Sequence, residues 1–299
     1  MSIYQQITGN KVRSWTIILL FILLISGFFY LVGLFVESPT TYFFIGFLVS
    51  MLSALGSYFY SDKIVLFTVG AKPSDKKRYF DFYTVAENLS IAGGIPMPKL
   101  YVIDDPAPNA FATGRDPKHA VVAATTGLLH KLDRAELEGV IAHELSHVKN
   151  YDIFVSTIVA VLVGTVALIS DWIMRSLWWG GLGRSRNDRN NRSPIFFILF
   201  IVALIIAPII ATLIQLAVSR KREFLADASG VLLTRYPEGL ARALEKISAD
   251  PHALRTATTS TAHLFITNPF KRKGTSSWII NLFSTHPPVE ERIRILRSM

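Results

Sequence analysis

Apolar residues along this chain are gathered into a few long runs, and the polar stretches between them carry shorter helical and strand patterns. Ser14 to Val36 is almost uninterrupted and Tyr42 to Tyr60 is a second run; at about 1.5 Å per residue each is long enough to cross a bilayer. The first run is too long for the apolar core of a signal peptide, and Glu37, Ser38 and Pro39 after it form a turn instead of a small-residue cleavage site. It therefore reads as a retained anchor. Ile153 to Ile173 and Ile195 to Val218 make a second pair, separated by a Gly- and Arg-rich stretch from Arg175 to Arg192.

Between the pairs the pattern shortens. Arg78 to Gly93 reads as an amphipathic helix closed by Gly93-Gly94, Leu100 to Ile103 and Ala120 to Ala124 as short buried strands, and Asn109 to Thr113 as an edge strand. Asp133 followed by Glu136 is a capping box, and Leu132 and Leu137 are placed for a hydrophobic staple, so a helix begins here and runs past Val148. The expected architecture is a mainly α membrane protein: four transmembrane or intramembrane helices carrying a small mixed α/β domain. Its parts are an N-terminal hairpin (1–60), a first polar part (61–152), a second hairpin (153–218) and a second polar part (219–299). No internal repeat is found, and the low-complexity tract Arg184 to Arg192 reads as a loop.

Composition agrees with membrane spans, since 51% hydrophobic residues and 20 Phe exceed what a soluble core of 299 residues needs. The absence of Cys excludes disulfides, thiolate metal ligands and a Cys nucleophile, so a metal site must be built from His and carboxylates. The net charge of +9 comes with no nucleic-acid motif and reads as Lys and Arg facing anionic lipid headgroups. Lys11 and Arg13 precede the first run, Lys63, Lys72, Lys76, Lys77 and Arg78 follow the second, and the turn between has none. Both ends of that hairpin, and residues 61–152 after it, are thus expected on the cytoplasmic face of the cell membrane. Arg175, Arg184, Arg186, Arg189 and Arg192 at the second hairpin's tip fit this less well. Either the first span dominates orientation, or the second pair dips into the bilayer without fully crossing it; Pro208 and Asp171 leave the latter open.

The candidate chemistry lies on the helix that starts at Asp133. His143 and His147 are about one turn apart and project from one face, so both imidazoles can bind one ion, while Glu144 sits beside them against the water such an ion activates. This is the His-Glu-x-x-His pattern of zinc peptidases. A catalytic zinc takes three protein ligands and keeps a fourth position open. Glu223, in Ser219-Arg-Lys-Arg-Glu-Phe-Leu-Ala-Asp227, is the carboxylate available for the third; its alternative is an ion pair with Arg220, Lys221 or Arg222. With both motifs the α/β domain is expected to be a zincin (gluzincin-like), 61–152 its first catalytic part and 219–299 its second. Asp227, one turn further, would accept the free N–H of His143, a contact typically worth roughly 10- to 100-fold in metal affinity or activity. For these residues to meet, the chain from 153 to 218 must return to the side it left, which requires an even number of crossings, and two runs are present. His119, His130, His252 and His263 have no ligand spacing. Trp178 and Trp179 read as interfacial anchors and Lys271 to Lys273 as a solvated or lipid-facing patch.

Taken together, these landmarks resemble the HtpX-type membrane zinc metalloproteases, relatives of the prenyl-CAAX endoproteases, over nearly the whole chain. The match is carried by Tyr4-Gln-Gln-Ile-Thr-Gly-Asn-Lys11, Asn109-Ala-Phe-Ala-Thr-Gly114, the His143 to His147 motif, Ser219 to Asp227, and Ser284-Thr-His-Pro-Pro288 with Arg292, in family order. The resemblance implies that Asn109 lies on the edge strand that pairs with substrate and that His286 donates to the tetrahedral oxyanion; otherwise Asn109 caps a turn and His286 packs in a Pro-bounded corner. It also implies one catalytic Zn²⁺ and hydrolysis of misfolded or damaged membrane proteins or unfolded chains in envelope quality control, while the charge without a nucleic-acid motif argues for no nucleic-acid partner. The competing readings are a prenyl-CAAX type endopeptidase, marked by farnesylated-peptide cleavage, and a catalytically silent membrane scaffold, marked by the lack of zinc.

Overall fold

The computed structural model describes residues 3–35, 37–178, 220–258, 260–270 and 287–299. The two N-terminal runs form α1 (Ile3–Phe35) and α2 (Pro39–Thr68), an antiparallel hairpin whose turn places Pro at the start of α2, where its missing N–H has no intrahelical partner to lose. Small residues line the inner face of α2: Gly46, Ser50, Ala54, Ser57 and Ser61 are buried. They let the backbones approach closely, and a Cβ on Gly46 would come 2.6 Å from Phe29 Cβ. The outer faces expose Leu19, Leu23, Phe44, Leu48 and Leu52, an apolar surface that suits lipid.

A third long helix, α6 (Asp152–Trp178), packs on both: Ile17, Phe21 and Ile25 of α1 share a buried cluster with Val155, Ile158 and Leu162. Among the described residues α1 and α2 are long and apolar enough to cross a membrane, and α6 meets that test only jointly with the helix before it, at an 84° bend. The run Ile153 to Ile173 lies within α6. The run Ile195 to Val218, the tract 184–192, Trp179 and Lys271 to Lys273 lie outside the described residues.

The polar half is built on a four-stranded sheet of β1 (Lys72–Pro73), β2 (Lys99–Ile103), β3 (Ala110–Thr113) and β4 (Val121–Thr125), in the order β1-β2-β4-β3. β2 runs parallel to β4, and β3 pairs antiparallel with β4 with Ala110 opposite Ala124, which leaves β3 outermost. The two-residue β1 carries no alternation, and periodicity could not have found it. On one face lie α3 (Phe80–Gly93), ended by Gly94 at φ +64°, and α5 (Arg134–Lys149), with Phe82, Val85, Val122, Val140 and Ile141 in one core. The short α4 (Thr126–Lys131), capped by Thr125, leads into α5.

α5 starts with a complete capping box: Asp133 accepts from the Glu136 N–H at 2.9 Å, and Glu136 accepts from the Asp133 N–H at 2.9 Å. Against α5 pack α7 (Arg220–Thr234) and α8 (Pro237–Ala249), with α9 (Val289–Leu296) lying on α8. The crossing of α5 and α8 depends on Gly139, where an added Cβ would stand 2.6 Å from the Leu240 backbone nitrogen. Since backbone cannot rotate away, Gly139→Ala is expected to force the helices apart and cost about 1–3 kcal/mol, seen as a lower unfolding midpoint. An unchanged midpoint would mean that the two helices slide freely.

Candidate metal centre

His143 and His147 leave the same face of α5, and α7 approaches that face closely because Gly230 lies against it; a Cβ there would sit 3.1 Å from the His143 backbone nitrogen. Glu223, in the first turn of α7, is thereby brought to the two imidazoles. The Nε2 atoms of His143 and His147 are 3.2 Å apart, and the Glu223 oxygens lie 3.7 Å from the first and 3.6 Å from the second. One ligand atom from each of the three falls within 4.8 Å of the others.

Whether these residues suit a metal is decided by their other bonds. His143 Nδ1 is 2.8 Å from Asp227 Oδ1, and His147 Nδ1 is 3.1 Å from Asp152 Oδ2. A carboxylate only accepts, so each Nδ1 carries a proton, and in the neutral ring that a metal binds each Nε2 offers its lone pair. Two such lone pairs 3.2 Å apart match the roughly 3.3 Å expected between neighbouring ligands of a tetrahedral zinc. The donor set fits the ion.

Electrostatics separate the roles. Burial is the largest influence on Glu144, which is 2% exposed; with Glu223 beside it, and against the pull of His147 and Arg292, its carboxyl is pushed up to about 7. The backbone N–H of Ala112, on β3, also bonds it. Burial opposes charge on His147, but the Asp152 hydrogen bond and the carboxylates of Glu223, Asp152 and Glu144 outweigh it and raise that ring to about 9. For Asp227 burial is again overcome, here by Arg292 and His143, and its carboxyl is held at about 2. Arg292 is fully buried and grips Asp227 with a two-pronged contact, Nε to Oδ2 at 2.9 Å and Nη2 to Oδ1 at 2.7 Å, while Nη1 donates to the Ile266 carbonyl at 3.1 Å.

The structure thus brings His143, His147, Glu223, Glu144 and Asp227 together. Asn109 stands just before β3 and is turned onto its own chain: Nδ2 donates to the Thr267 carbonyl at 3.1 Å and Oδ1 accepts from the Ala110 N–H at 3.1 Å. His286 lies outside the described residues. His119 and His252 bond Asp116 and Asp250, and His263 bonds the Ser156 carbonyl, all apart from the centre. Two functional residues had escaped the sequence. Asp152 follows His147 across a helix break, so no helical spacing links them, and Arg292, noted only as a landmark, reaches its partner from 65 residues away. The break shows itself in the folded chain, where Tyr151 has φ +60° and the helices meet at 84°.

Comparison with known proteins bears on the same residues. The model of peptidase family M48 matches residues 79–299. A protein named Protease HtpX homolog from Tropheryma whipplei (strain Twist) is 48% identical over 296 residues, covering 99% of this chain and 98% of that protein. A protein of the same name from Caldanaerobacter subterraneus subsp. tengcongensis is 43% identical over 301 residues, covering 100% and 98%. The crystal structure of S. mikatae Ste24p aligns with 98% of this chain and 67% of its own at 18% identity, with a TM-score of 0.48. By the family model, and by full-length relatives at this level of identity, the chain belongs to peptidase family M48 and is a membrane metalloprotease.

Proposed function

We propose that this metalloprotease uses zinc and hydrolyses peptide bonds of misfolded or damaged membrane proteins, working at the cytoplasmic side of the cell membrane. The observation that carries the reading is the placement of the centre at the foot of the long apolar helices: α6 begins at Asp152, which bonds His147, and packs along α1. A chain emerging from the bilayer would meet the centre first.

His143, His147 and Glu223 would hold the ion, which supplies Lewis acidity to a water and to the scissile carbonyl. Asp227 and Asp152 fix the two imidazoles in the tautomer that leaves Nε2 free. Glu144 takes the proton of the attacking water and passes it to the leaving amine. His286, by family resemblance, donates to the oxyanion. An extended substrate adds alongside β3, as strands do at an open sheet edge. At the Asn109 end, the Ile266 N–H bonds the Ala110 carbonyl at 3.0 Å and Thr267 holds the Asn109 amide, so pairing there exchanges these bonds for substrate ones.

The test is a proteoliposome assay of the wild-type protein and Glu144→Gln with three substrates: a destabilised multi-pass membrane protein, soluble casein and a farnesylated CAAX peptide. Zinc-dependent cleavage of the membrane protein, absent in the variant, is expected. Cleavage confined to the farnesylated peptide would replace this substrate class with the prenyl-CAAX one.

A further inference from the structure

Asn10 sits near the start of α1, within the apolar helix, yet is only 4% exposed. Its Nδ2 donates to Asp152 Oδ1 at 2.7 Å and to the Asn150 carbonyl at 3.0 Å. The other oxygen of Asp152 accepts the Nδ1 proton of His147 at 3.1 Å. The neighbouring Lys11 places Nζ 4.6 Å from the centroid of the Tyr151 ring. Tyr151 has φ +60°, a left-handed conformation that a bulky side chain keeps only where its surroundings hold it. Two consecutive residues of α1 therefore clamp the corner between α5 and α6, the corner that aims Asp152 at His147.

We propose that Asn10 is a positioning residue of the metal centre: by fixing Asp152 it sets the orientation and tautomer of His147, so that the first membrane helix completes the site. Arg222 Nη1 lies 3.6 Å from the same Asp152 oxygen and offsets its charge, but the shorter contact to Asn10 is the one that directs the carboxylate. Freely rotating, Asp152 could turn to Arg222 and leave His147 without its acceptor. Asn10 lies outside the stretch matched by the family model, residues 79–299, so this contact joins the peptidase module to its own anchor. The inference rests on His147 being a metal ligand.

The full-length protein, purified in detergent and stripped with chelator, is titrated with zinc alone in competition with a chromogenic chelator. Asn10→Leu, close in size but without a donor, is expected to bind zinc about 10-fold more weakly, at the lower end of what outer contacts of metal ligands contribute. Asn10→Ser, too short to reach Asp152, is read in the same way should Asn10→Leu fail to fold. In the double variant with Asp152→Ala, zinc affinity is expected to equal that of Asp152→Ala alone, because the two act in series. A purely packing role for Asn10 would instead lower the unfolding midpoint of the metal-free protein and leave zinc affinity alone. Wild-type affinity in the Asn10 variant, or losses that add in the double variant, overturns the proposal. Absence of zinc binding in the wild type would instead strike at the ligand assignment itself.

Discussion

Glu144→Gln is expected to retain stoichiometric zinc while losing about 10²- to 10⁴-fold in the rate of peptide hydrolysis. The amide fills the same buried space between α5 and β3 and leaves both imidazoles and Glu223 untouched, so metal binding survives. It cannot take a proton from water, so the step that Glu144 is built for is lost. Burial prepares the carboxyl for that step by raising it to about 7, close to the working pH, where a base is strong enough to accept a proton and still able to release it to the amine. The base works ionised, so kcat/KM of the zinc-loaded wild type should fall on acidification, with a midpoint below about 7 because the bound divalent cation favours the carboxylate. The residual rate of Glu144→Gln should lack this limb. Elemental analysis beside a proteolysis assay checks both parts, and full proteolysis by the zinc-loaded variant would remove Glu144 from the mechanism.

Arg292→Met should be the most destabilising replacement near the site, at about 3–5 kcal/mol, because it strands the Asp227 carboxylate in a buried position where the His143 N–H is its remaining side-chain partner among the described residues. The wild-type Asp227 is held at about 2, below its ordinary 3.8, so its share of stability is fully present above 3.8 and is lost as pH falls through about 2. Without Arg292 that carboxyl rises, and the loss on acidification begins at higher pH. Arg292→Lys keeps the charge but not the paired contact or the bond to Ile266, and should fall between the two. Urea or thermal unfolding of the metal-free protein across about pH 2 to 7 reads this directly. Equal stability and an equal acid midpoint in Arg292→Met would show that the guanidinium does not govern Asp227.

Much of the site could be read along the chain because its elements announce themselves locally. The capping box at Asp133, the single turn between His143 and His147, and the Glu223 to Asp227 spacing each lie within one helix, where period and cap chemistry act over a few residues. The long runs that became α1 and α2 are legible for the same reason, since crossing a bilayer demands an unbroken apolar stretch. The strands at 99–103, 110–113 and 121–125 lie close to their sequence-based bounds, while β1 did not announce itself, being two residues long and held only by its pairing with β2.

What the sequence determined by itself was the set of groups that could bind a metal and do acid–base work, together with the helices that carry them. The tertiary structure alone decided how those groups are held. His147 is oriented by an aspartate beyond a helix break, that aspartate by Asn10 from 142 residues away, and Asp227 by Arg292 from 65 residues away. Such contacts follow no period, because they depend on which faces of distant helices come to share one buried space. Only the folded chain, by excluding water from that space, makes each of these hydrogen bonds obligatory.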